Sequence, residues 1–198
     1  PNGTLSKKLK MLPQVLKERG FRTIGFIGNP HGGAAALGLD RGYDECVQVY
    51  ALDKLKGKRA TLKVTKYPAP LPEDITEQIF ARLPGLARNG QFAYIHYLQP
   101  HIPYDPPQKY IDQLDPDRLG RCRCGGMKWA DLRGRFDEAN ESGRASAATI
   151  DHMAAHYRAN IRYMDDGLAA LFEQLKKHDL YDHSLIILTA DHGDAFFK

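Results

Sequence analysis

A chain of 198 residues, 42% hydrophobic and 26% charged, has the balance of an ordinary globular protein and the length to bury one core. Its net charge of +4 comes from 28 basic and 24 acidic residues scattered along the chain, which excludes a like-charged nucleic-acid tail and leaves at most a weak attraction for anions. Three cysteines are too few for a disulfide framework, and no apolar run approaches the ~20 residues of a membrane span.

Taken in chain order, Pro13 to Arg19 reads as a short helix, with Pro13 at the first helical position and Gly20 as its stop. Phe21 to Gly28 follows as a strand carrying Ile24, Phe26 and Ile27. A helix feeding directly into a strand is the grammar of an α/β sheet. Gly32-Gly33 reads as a turn; it lacks the GxxxxGK[ST] pattern that would set backbone N–H groups and a lysine around a phosphate. Ala60 to Tyr67 alternates as a second strand, and after the prolines 68, 70 and 72 a helix is expected over Glu73 to Leu83.

Phe92 to Tyr97 is an aromatic, apolar third strand of the kind that is buried on both faces. It opens into Gln99 to Pro107, where four prolines enforce a rigid loop holding His101 between Pro100 and Pro103. Asp112 to Arg144 is polar and rich in Gly and Arg, an excursion from the core. From about Ser146 the residues Ile150, Met153, Tyr157, Ile161, Met164, Leu168, Leu171 and Leu175 step by three or four. That spacing marks one amphipathic helix, which at roughly 30 residues is about 45 Å long. Ser184 to Thr189 reads as a buried strand running into Ala190-Asp191-His192-Gly193-Asp194.

Ligands of open α/β sheets gather beyond the carboxyl ends of the strands. His101 follows one expected strand and Asp191-His192 another, so the three are expected to converge on one cleft at the carboxyl edge of a single sheet. A carboxylate beside an imidazole can ligate a divalent cation. A fixed imidazole nearby can bind an oxyanion or protonate a leaving group. Elsewhere plainer roles are expected. His96 on its apolar strand reads as a core histidine. Arg162, Asp165 and Asp166 read as helix-face ion pairs. Cys122 and Cys124 have no second pair at zinc-finger spacing and read as unpaired thiols.

Four segments carry a family resemblance. Leu16-Lys17-Glu18-Arg19-Gly20-Phe21-Arg22-Thr23 resembles the LKERGYRT segment of sulfatases, and Tyr94 to Tyr104 is similar to their HYxxPHxPY segment. Asn160 to Asp166 resembles the IRYVDD helix, and Leu180 to Gly193 the LYDNTLIVVTSDHGE segment. The resemblance, to the sulfatase family of the alkaline phosphatase superfamily, implies an α/β fold with a mostly parallel sheet flanked by helices, incomplete here. Residues 1–198 would form part of a sulfatase-type catalytic domain with a polar insertion at about 112–144. Asp191 and His192 fall on the second metal-ligand pair of the family, and His101 on the histidine that contacts the sulfate and the leaving group.

The resemblance further implies hydrolysis of a small-molecule or saccharide sulfate ester, with one divalent metal ion and a formylglycine nucleophile matured from C-x-[PA]-x-R. None of Cys46, Cys122 and Cys124 stands in that motif. The nucleophile and the first acidic ligands are expected upstream of Pro1 and a further lysine past Lys198, so that the chain alone would be inactive. Some sulfatases carry Asp-Asn where Asp191-His192 stands. An amide oxygen suits Ca²⁺, whereas an imidazole suits Mn²⁺ or Zn²⁺. His192 therefore keeps open a phosphodiesterase, phosphonate hydrolase or phosphotransferase of the same superfamily. A noncatalytic polyanion-binding module is the reading from a different class. No nucleic-acid partner and no membrane segment are expected, and a periplasmic or exported location is compatible with the resemblance without being fixed by it.

Overall fold

The computed structural model describes residues 4–29, 37–55, 70–85, 90–101, 104–114 and 147–194. The expected turn at Gly32-Gly33, the strand at Ala60–Tyr67 and the Cys122/Cys124 turn lie outside the described residues, as does the polar excursion beyond Leu114. The described chain divides into two compact units. One comprises 1–98 with 169–186, the other 99–168 with 187–198.

The first unit is built on a three-stranded parallel sheet in the order β2-β1-β3, with β1 at Arg22–Ile27, β2 at Glu45–Gln48 and β3 at Gln91–His96. Helix α1, Leu12–Glu18, leads into β1 as the sequence anticipates. Its first turn is closed by the Met11 N–H donating to Gln14 Oε1 at 2.9 Å, the reciprocal half of a capping box. Its end is a Schellman motif. The Phe21 N–H reaches the Leu16 carbonyl and the Gly20 N–H the Lys17 carbonyl, with Gly20 at φ +87°. Helix α2, Pro72–Phe80, starts in the same way, the Leu71 N–H donating to Asp74 Oδ2 at 2.8 Å.

The core of this unit gathers Ile24 and Phe26 of β1, Val47 of β2, Ile75 and Ile79 of α2, and Leu171 and Leu180. Phe26 and Ile75 are wholly buried, which makes β1 the axis of the unit. At the carboxyl end of β1 the Gly28 N–H donates to the His96 carbonyl at 2.9 Å and carries the β1–β3 ladder one step further. A Cβ at Gly28 would stand 2.6 Å from that carbonyl oxygen, so the chains approach this closely only because position 28 has no side chain.

Two expectations about strands are corrected. β3 is a half-exposed strand of the sheet rather than a buried one, with Tyr94 40% exposed; β1 covers one of its edges, and both Ala93 and Tyr94 at its middle are exposed. Ser184–Thr189 joins no sheet, and Leu185, Ile187 and Leu188 are 89%, 77% and 72% exposed. A strand exists through its ladder, and both edges of β1 are taken by β2 and β3. Among the described residues the outer edges of β2 and β3 carry no further strand, and this apolar run pairs with neither. Conversely, β2 was not anticipated, because Glu45–Gln48 is short and mixed in polarity.

The second unit contains a short helix, α3 at Gln108–Leu114, and the first two thirds of α4, the 31-residue helix Ala147–Lys177. The long helix agrees with its periodicity, but its buried line does not. Met153, Ala155, Ala159, Tyr163 and Met164 are buried together with His152, His156 and Asn160, while Ile161 is 43% exposed. Arg162 pairs with Asp165 at 2.6 Å and Asp166 at 3.0 Å, the helix-face ion pairs expected. Asp166 also accepts the Tyr110 hydroxyl at 2.8 Å, which fastens α3 to α4.

Candidate functional site

His101 sits five residues past the end of β3, and its ring meets the His192 ring edge-on at a centroid distance of 6.3 Å and an angle of 74°. Both belong to the second unit, so two of the residues singled out in the sequence, 91 positions apart, face the same space. Asp191 lies against His192: the His192 N–H donates to Asp191 Oδ1 at 3.0 Å, and His192 Nε2 stands 3.7 Å from Asp191 Oδ2. The expected cleft at a sheet edge is not what holds them. The run preceding Asp191 is outside the sheet, and the Asp191 and His192 side chains are 87% and 58% exposed.

The His192 ring is oriented from behind. Nδ1 lies 2.9 Å from the Gly193 carbonyl, and since a carbonyl can only accept, Nδ1 carries the proton and Nε2 presents its lone pair outward. This is the arrangement that metal-binding histidines use to fix tautomer and direction. Protein ligands sit about 2.0–2.2 Å from a zinc-sized cation, so two of them lie roughly 3–4 Å apart across it. The 3.7 Å between Oδ2 and Nε2 fits that span, and the pair suits a divalent cation as two of its ligands. Among the described residues no group of three or more His, Cys, Asp or Glu converges in this way. The bond to the Gly193 carbonyl, with Asp191 and Asp194 adding their charge, raises the His192 pKa above its usual value. A cation bound there has a proton to displace.

Residues that sequence reasoning missed hold this site from below. Tyr104 is buried, its hydroxyl donates to the Asp194 carboxylate, and its ring packs edge-on against Tyr157 at 5.3 Å. Its carbonyl accepts from His156 Nδ1 at 3.1 Å, and the His156 ring meets that of His152 at 4.9 Å. The signal was present as His152, His156 and Asn160 at steps of four, a polar line on the buried side of α4, hidden by reading only its apolar stripe.

The remaining candidates stay plain. Cys46 on β2 is a half-buried free thiol whose pKa is pushed up by burial and by Asp40, the reverse of what a thiolate nucleophile needs. His96 is half-buried at the end of β3 and stacks on Tyr94 at 6.2 Å. No helix among the described residues is long and apolar enough to cross a membrane.

Comparison with known proteins gives two findings. The family model named Sulfatase matches residues 2–198. Among solved structures, the chain is similar to the phosphonate monoester hydrolase SpPMH from Silicibacter pomeroyi, with a TM-score of 0.51 and 18% identity. That likeness covers 92% of this chain and 47% of the other, so the chain spans about half the length of that hydrolase. At this identity the likeness speaks for the α/β fold alone.

Proposed function

The chain belongs to the sulfatase family, and on that premise we propose that Asp191, His192 and His101 form part of the site of a metal-dependent sulfuric ester hydrolase. The observation that carries this reading is the meeting of His101 and His192 at 6.3 Å beside the Asp191 carboxylate. Asp191 Oδ2 and His192 Nε2 would hold one divalent cation. A cation held there supplies positive charge to an ester oxygen and to the group that attacks it.

The residues of this chain divide the remaining work. Asp191 offsets the charge of the cation and, through its second oxygen, takes the His192 N–H, so ligand and turn are fixed together. His192 keeps its proton on Nδ1, away from the ligand face. His101, on a loop braced by prolines, faces the same space and is placed to hydrogen-bond the leaving oxygen and hand it a proton as the bond breaks. An imidazole beside a carboxylate favours Mn²⁺ or Zn²⁺ over Ca²⁺. That choice of ligand supports a second reading, a phosphonate or phosphate ester hydrolase with the same residues in the same roles.

In the full-length protein that carries the nucleophile, aryl sulfates and aryl phosphonate esters of graded leaving-group pKa separate the roles. Asp191→Ala lowers metal retention and turnover together, and excess metal restores part of the loss. His101→Ala leaves metal content nearly normal and slows turnover roughly 10²–10⁴-fold, less for good leaving groups. An equal defect across the series, or metal loss in His101→Ala, removes the proton-donor role. Faster turnover of the phosphonate series selects the second reading.

A further inference from the structure

We propose that Tyr104 is a positioning residue that ties the His101 loop to the Asp191–Asp194 turn, and that His156 locks it from the helix side. The role in metal binding rests on the reading of Asp191 and His192 given above; the tie itself rests on geometry. Asp191 and His192 stand in solvent, and among the described residues their hydrogen bonds stay within the turn. The bond that leaves the turn for another segment is the one from the Tyr104 hydroxyl to Asp194, two residues past His192.

Tyr104 is fitted for this. It lies three residues past His101, so whatever fixes Tyr104 limits the swing of the His101 loop. The residue is 3% exposed and its ring packs on Tyr157, which leaves the hydroxyl little freedom of direction. The acceptor is a carboxylate, so the bond is charge-assisted and stronger than a neutral one. The Tyr104 backbone is held as well. Its carbonyl takes the Nδ1 proton of His156, which is 5% exposed and packed against His152 on the same helix. A residue held on the long helix at its carbonyl and ring, and on the turn at its hydroxyl, can therefore set the separation of the His101 and His192 rings.

Tyr104→Phe removes the hydroxyl and little else, and Asp194→Ala removes the acceptor from an exposed turn. The tie requires that each variant keep the helical circular dichroism of the chain and lose the nuclear Overhauser contact between the His101 and His192 rings. Each should weaken Mn²⁺ binding at the turn about ten- to a hundredfold, the worth of a hydrogen bond to a charged group. The double variant should be no worse than either single one, because both remove the same bond. Asp194→Asn, which retains an acceptor oxygen, should recover most of the ring contact. Persistence of the ring contact in Tyr104→Phe, or additive losses in the double variant, overturns the proposal. Absence of Mn²⁺ binding in the unaltered chain would instead count against the metal role of Asp191 and His192, and the ring contact would still decide the tie.

Discussion

Thr23 offers a sharp test of how the sheet is held, because one buried hydroxyl serves two partners. Its side chain is fully buried; Oγ1 donates to the Gly42 carbonyl at 2.6 Å and accepts the Asp44 N–H at 3.0 Å. The Thr23 N–H donates in turn to Asp44 Oδ2 at 2.9 Å. Thr23→Val preserves shape but puts a methyl where a 2.6 Å hydrogen bond was and leaves the Gly42 carbonyl without that donor. Leaving such a group unsatisfied costs about 1–3 kcal/mol, which for a chain of this size lowers Tm by about 2–12 °C. Thr23→Ser keeps the hydroxyl and removes one methyl, worth about 1 kcal/mol. Urea unfolding followed by circular dichroism should therefore rank Val as the more damaging change, with m-values unchanged. If Ser proves worse than Val, packing rather than hydrogen bonding fixes this corner and the reasoning fails.

Two further outcomes follow from the same structure. The hydrogen bond from Lys17, with Thr23 adding to it, holds the Asp44 pKa down at about 2. A carboxyl depressed on folding stabilises above its unfolded pKa of about 3.9, so this contribution is lost as pH falls from about 4 towards 2; acid titration of Lys17→Met should show a shallower loss over that window. Leu188→Lys should change stability by less than about 0.5 kcal/mol, since Leu188 is 72% exposed, and a loss of several kcal/mol in urea would show the run to be buried.

The sequence was most legible where local rules and packing agree. Pro13 and Gly20 bracket α1 because a missing N–H and a left-handed φ are tolerated at those ends of a helix. Ile24, Phe26 and Ile27 mark β1 because that strand is buried along nearly its whole length. The long helix was legible from its period alone. Ser184–Thr189 misled because its composition reports a preference for burial, whereas being a strand depends on a partner that composition cannot supply. Of the proposed site, Asp191, His192 and His101 were singled out by their motifs, and the structure brings the His101 and His192 rings near each other. Tyr104 and His156 were not, since their parts depend on hydrogen bonds across segments far apart in the chain.

The proposed function requires that Asp191 and His192 hold a divalent cation in the space His101 faces. Titrating Mn²⁺ into the chain with ¹³C-labelled histidine tests it directly, because a paramagnetic ion broadens the resonances of nearby rings. His192 and His101 should broaden together, since their rings stand 6.3 Å apart, and Asp191→Ala should abolish the selective effect. Broadening that leaves His101 untouched, or that survives Asp191→Ala unchanged, would contradict it.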